Sequence, residues 1–200
     1  VARMAIALAA GIVLAVALMI MTQTGPVPQG LGDRVQTALW RVRSGGDEKL
    51  TGDESLRVGD RLFLTVEADA PLHVYVINRD GSGDISALFP VEGAQWTNPL
   101  PTGTHRLPGQ TSWPNDSWEV SSSGGTESFR IIASLEPLVD LESALAGVDQ
   151  ASPDEHVRGE GPDGVPRDAA GTLSRVIEDL ESTTKPGGLV IREVVLKNPR

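Results

Sequence analysis

Residues 86–109 read SALFPVEGAQWTNPLPTGTHRLPG: an apolar run ending in Leu88-Phe89 stops at Pro90 and hands over to a stretch of Pro, Gly, Asn and Trp. Such a stretch is either a linker between units or an ordered loop inside one, and the choice decides how the flanking strands are grouped. Before it, Leu72-His73-Val74-Tyr75-Val76-Ile77 is apolar on both faces, as a central strand is, and Ile85–Phe89 reads as its hairpin neighbour across 78–84. Further out, Leu56–Ala68 places Leu56, Val58, Leu62, Leu64, Val66 and Ala68 on one face, with Gly59-Asp60 a turn or bulge. Thr37–Arg43 alternates apolar and charged residues and predicts an edge strand ending at Ser44-Gly45-Gly46.

Beyond the stretch, Trp118–Ser122 and Glu127–Ser134 read as a strand pair around Gly124-Gly125, which supply positive φ cheaply. The β pattern then gives way to helix. Pro137–Gly147 carries Leu138, Leu141 and Leu145 at helical spacing, with Pro in the first turn and Gly past the end. Ser152–Arg167 lacks periodicity and reads as a mobile acidic loop. Asp168 is placed to cap a second helix in which Ala169, Leu173, Val176, Ile177 and Leu180 share a face, and Gly188–Leu196 returns as a strand. The expected class is mainly β with two late helices, a β-sandwich-like domain.

The N-terminus bounds location. Met4–Met21 runs eighteen residues without a charge, close to what a helix needs to cross a bilayer. A cleaved signal peptide is the competing reading, but its apolar core would be shorter and end at a small-residue site. Arg3 precedes the run and no basic residue follows until Arg34, which places the N-terminus in the cytoplasm and the bulk of the chain outside. The expected organisation is an anchor over 1–22, a linker over 23–36 and an extracytoplasmic β-rich domain over 37–200, comprising a core at 56–137 and a helical, acidic extension at 138–200. Starting at Val1 with almost nothing before the span suggests either an alternative start codon or a chain that has lost an upstream cytoplasmic part. With no cysteine, packing alone has to stabilise the domain. The net charge of −10, concentrated between Asp140 and Glu181, sets against nucleic acid as a partner.

Four constellations invite a chemical reading. Asn78-x-Asp80-x-Ser82-Gly83-Asp84-Ile85 imitates a calcium loop, but Phe89 stands at the twelfth position where a bidentate Glu is needed, so a hairpin turn is the simpler reading. Gly159-Glu160-Gly161-Pro162-Asp163-Gly164 spells G-x-G-x-x-G without a preceding strand and with acids that would repel a pyrophosphate. His73, His105 and His156 are too scattered for a metal set, and Ser121-Ser122-Ser123 lacks the G-x-S-x-G context of a nucleophile. Trp96, Trp113 and Trp118, three of the four tryptophans, form either a carbohydrate or peptide platform or indoles that pin a loop. No catalytic, cofactor or metal residue is therefore expected.

The succession LRVGDRLFLTVEAD, HVYVINRDGSGDISALFP, NPLPTGTHRLPG and WEVSSSGGTESFRIIASLEP resembles the bacterial domain-of-unknown-function family 4384 over Leu56–Pro137. The resemblance implies that Asn98, Leu100, Gly103, Leu107 and Pro108 belong to an ordered crossover rather than a linker. It also implies a module placed beside a membrane span or signalling unit, and it brings no activity. The expectation is a non-enzymatic, membrane-tethered interaction or sensing module with an envelope protein as partner. The alternatives are the outer half of an anti-sigma-type regulator and a cell-envelope hydrolase whose triad assembles in space.

Overall fold

A computed structural model describes residues 30–109, 116–148, 167–183 and 188–199. The elements in chain order are α1 (Leu31–Arg34), β1 (Val35–Arg41), β2 (Glu48–Leu50), β3 (Arg61–Ala68), β4 (His73–Arg79), β5 (Ile85–Phe89), β6 (Gly103–Leu107), β7 (Trp118–Glu119), β8 (Thr126–Ser134), α2 (Val139–Leu145), α3 (Arg167–Thr183) and β9 (Leu189–Lys197). Two antiparallel sheets result. Sheet one has the order β2-β1-β3-β6, with β7 also paired to β3, and sheet two has the order β5-β4-β8-β9.

Alternation on the strands explains the layers. Leu62, Leu64 and Val66 of β3 face Val74 and Val76 of β4 and Phe129 and Ile131 of β8 across the sandwich core. The odd-numbered partners on β4, Tyr75 and Ile77, point the other way and meet Leu141, Leu145, Leu173 and Ile177 of α2 and α3. That is why β4 is apolar on both faces: it is the middle layer of a sheet–sheet–helix stack. Burying a side chain such as Leu64, which is fully enclosed, contributes about 1.5–3 kcal/mol each time. Tyr75 Oη fastens the helix layer, donating to Glu142 Oε1 at 2.7 Å and accepting the Leu138 N–H at 3.1 Å. Burial, assisted by the Glu142 hydrogen bond, raises the phenol above its ordinary value.

The 86–109 stretch is ordered and joins the two sheets, running from β5 in sheet two to β6 in sheet one. Asn98 lies across β4 like an extra strand residue, accepting the Val74 N–H at 2.9 Å and donating to the Val74 carbonyl at 2.8 Å. Leu72 and Leu100 exchange backbone hydrogen bonds, and Leu100 is fully buried. The Phe89–Pro90, Asn98–Pro99 and Leu107–Pro108 peptide bonds are cis.

Several sequence expectations change. The domain begins inside the stretch expected as linker: Leu31 is buried in α1, and β1 already pairs Val35 with Ala68. Val58 does not join the apolar face of β3 but is 57% exposed, because Gly59 at φ +85° turns the chain and breaks the alternation. Trp118–Ser122 does not pair with β8; β7 pairs with β3 in sheet one, so Gly124-Gly125 lies in a second crossover rather than a hairpin. The late helices and the returning strand stand as expected, with α3 starting at Arg167, one residue before Asp168. Met4–Met21, the acidic loop up to 166, Gly159–Gly164, His156 and Trp113 lie outside the described residues.

Candidate functional site

Strand ends define two poles. Val35, Ala68, His73, Gly103, Ser134 and Leu189 are paired neighbours at the end where the chain enters from residue 30. Arg41, Arg61, Arg79, Ile85, Thr126 and Lys197 lie at the other. The far pole holds a cleft of about 80 Å3. Its apolar floor is Leu62, Leu88, Trp118 and Phe129, and its walls carry Asn78, Asp80, Asp84, Ser86, Ser122 and Glu127.

Glycine sets the distance between the walls. A Cβ on Gly125, at φ +87°, would come within 2.9 Å of Gly81 Cα, so the β4–β5 hairpin and the 120–125 crossover touch backbone to backbone. The hairpin itself is closed internally: Asp80 Oδ1 accepts the N–H groups of Ser82 at 2.9 Å and Asp84 at 3.0 Å, and the Ser82 hydroxyl at 2.6 Å. The oxygen that a calcium loop would offer its ion is thus engaged in shaping a turn, with Gly83 at φ +94°.

Glu127, 3% exposed, is the buried carboxylate at the back of this cleft. It accepts a hydrogen bond from Ser122 Oγ, from Asn198 Nδ2 at 2.9 Å and from Asn78 Nδ2 at 3.0 Å. All three partners are neutral. Asn198 follows β9, is fully buried, and also donates to the Ser122 carbonyl at 2.9 Å, so the chain beyond the last strand is tied to the crossover. The Ser122 hydroxyl is given to a carboxylate, not to a histidine, and His105 instead places Nε2 2.7 Å from the Pro101 carbonyl in the first crossover. A dry pocket for a small molecule usually measures about 300–1,000 Å3, several times this cleft.

A second buried charge sits at the same pole. Arg41, 6% exposed, donates to Glu48 Oε2 at 2.6 Å, to Asp60 Oδ2 at 3.0 Å and to the Ser55 carbonyl at 2.7 Å. Burial alone would lower this guanidinium; the bonds to Glu48 and Asp60 outweigh it and leave the group raised. Reciprocally, the Arg41 hydrogen bond holds Glu48 below its usual range. Gly59-Asp60 therefore has a double reason: the glycine makes the turn and the aspartate neutralises Arg41.

The tryptophans divide. Trp118 is buried in the cleft floor with Nε1 donating to the Leu88 carbonyl at 3.1 Å. Trp96 is half-buried, edge-on to His105 at 4.7 Å and packed where Gly109, at φ +83°, leaves room. Both pin crossovers. Trp40, on the neighbouring strand, stacks on Phe63 at 6.1 Å on the outer face of sheet one, and the Arg106 guanidinium lies over the Phe63 ring at 3.4 Å. The pairing Trp40↔Phe63 depends on a register between strands that the sequence does not state.

The arrangement is a two-sheet antiparallel sandwich with helices on one sheet and two pinned crossovers between the sheets. Residues 55–137, about two fifths of the chain, match the family model described as Domain of unknown function (DUF4384), so that this part of the chain is a DUF4384 domain. The match runs from the turn before β3 to the end of β8; β1, β2, the helices and β9 lie outside it. No curated protein and no solved structure is matched.

Proposed function

We propose that the chain is a single-pass protein of the bacterial inner membrane whose β-domain works outside the cytoplasm as a non-enzymatic interaction or sensing module, with an envelope protein as partner. The observation that carries the reading is the uncharged run Met4–Met21, which ends eight residues before the domain begins at Gly30. Among the described residues no helix is long and apolar enough to cross a membrane, so that run is the segment available to do so. The far-pole cleft, built around a buried carboxylate, is the surface such a module would present away from its tether. Its carboxylates set against an anionic ligand such as nucleic acid.

The test is crosslinking in cells with a photo-reactive residue at exposed Ser121, on the cleft, and a control at exposed Leu135, at the entry pole. Capture of the same identified envelope protein at 121 and not at 135 is the expected result. Equal capture at both positions would remove the cleft from the account.

A further inference from the structure

The entry pole carries two of the four exposed large hydrophobics of the described chain: Leu135 at 41% and Val139 at 64%. They flank the turn between β8 and α2, next to Ser134, which pairs with His73 and Leu189 at the same strand ends where Val35 meets Ala68. Asp69, in the adjoining turn, is tied to Arg34 of α1 at 2.9 Å, so the point of entry and this turn belong to one surface.

Resting on the tether proposed above, the length of chain outside the described residues says what lies against that surface. The eight residues 22–29 can reach at most about 28 Å. The entry pole is therefore held within about 28 Å of the bilayer. We infer that this pole rests on the membrane, with Leu135 and Val139 inserted at the headgroup boundary and the far-pole cleft turned away from it. Nearby Asp33, Glu136 and Asp140 are exposed, which makes a zwitterionic headgroup surface the fitting one and an anionic surface the unfavourable one.

The absence of cysteine makes the test clean, because one introduced thiol is the only one. The full chain is reconstituted into phosphatidylcholine vesicles carrying a lipid-borne quencher, with a polar fluorophore on Glu136→Cys or, at the far hairpin, on Ser82→Cys. Quenching at 136 is expected to exceed that at 82 by roughly threefold or more. Adding Leu135→Ser and Val139→Ser, both exposed and so tolerable to the fold, should bring the value at 136 down towards that at 82. Equal quenching at 136 and 82, or quenching at 136 that ignores the double substitution, overturns the contact while leaving the tether standing. A chain that fails to float with the vesicles overturns both.

Discussion

The two ends of the sandwich are closed by different chemistry. At the entry end, the crossover is seated by neutral groups: the Asn98 amide on the Val74 backbone, the Leu72–Leu100 bridge and the Trp96 indole against His105. At the far end two charges are buried, and they are not treated alike. Arg41 has two carboxylates within 3.0 Å, whereas Glu127 is held by a hydroxyl and two amides. A charge matched by opposite charges is a finished structural element. The Glu127 carboxylate is matched only by dipoles, so its desolvation is offset by the Ser122 hydroxyl and the Asn78 and Asn198 amides alone.

The sharpest way to break this contrast is Arg41→Ala. It leaves Asp60, which is nearly enclosed, with only the longer contact to Arg43 at 3.5 Å, and a loss of about 3 kcal/mol in urea unfolding is expected. A loss near zero would mean that the far-end network is solvated and that the two buried charges do not differ. Trp96→Ala asks the same of the entry end. Because the indole is only half-buried, removing it from His105 and Gly109 should cost about 2 kcal/mol. Unchanged stability would turn Trp96 into a free surface group and revive the platform reading.

The smallest expected effect sharpens the comparison through pH. Glu54 closes the loop between β2 and β3, accepting the N–H groups of Thr51 at 2.8 Å and Gly52 at 3.1 Å and the Thr51 hydroxyl at 2.9 Å. The Thr51 backbone hydrogen bond leads in bringing its pKa down from the usual 4.5 to about 2. A folded pKa below the unfolded one means that the stabilisation is complete above about pH 4.5 and is lost as pH falls towards 2. Glu54→Gln should therefore lower stability modestly in the neutral region, flatten the acid limb, and converge with the parent protein as pH falls towards 2. A parallel downward shift at every pH would show that Glu54 acts through packing instead.

Much of this architecture was legible in the residues because local chemistry dictates it. Alternation in Arg61–Ala68 and the double-faced run of His73–Ile77 follow from the period of a strand. The resemblance carried by Asn98, Leu100, Gly103, Leu107 and Pro108 identified the crossover as ordered. What alternation does not encode is pairing between distant strands. Trp118-Glu119 looks like one arm of a hairpin, and only its seat on Arg61-Leu62, with the indole bonded to Leu88, places it in the other sheet. In the sequence Glu127 is simply a strand residue, since its burial depends on Asn78, Ser122 and Asn198, spread over 121 positions. Gly124-Gly125 beside it announces positive φ locally, but its contact with Gly81 is long-range.

The tethered, extracytoplasmic placement proposed above is tested most directly by the side of the membrane on which the far end lies. A membrane-impermeant maleimide applied to intact cells that carry the full chain with Ser82→Cys should label the protein, and the labelled chain should stay in the membrane fraction after alkaline extraction. Labelling that requires lysis, or release of the chain into the soluble fraction, would contradict a tethered extracytoplasmic module.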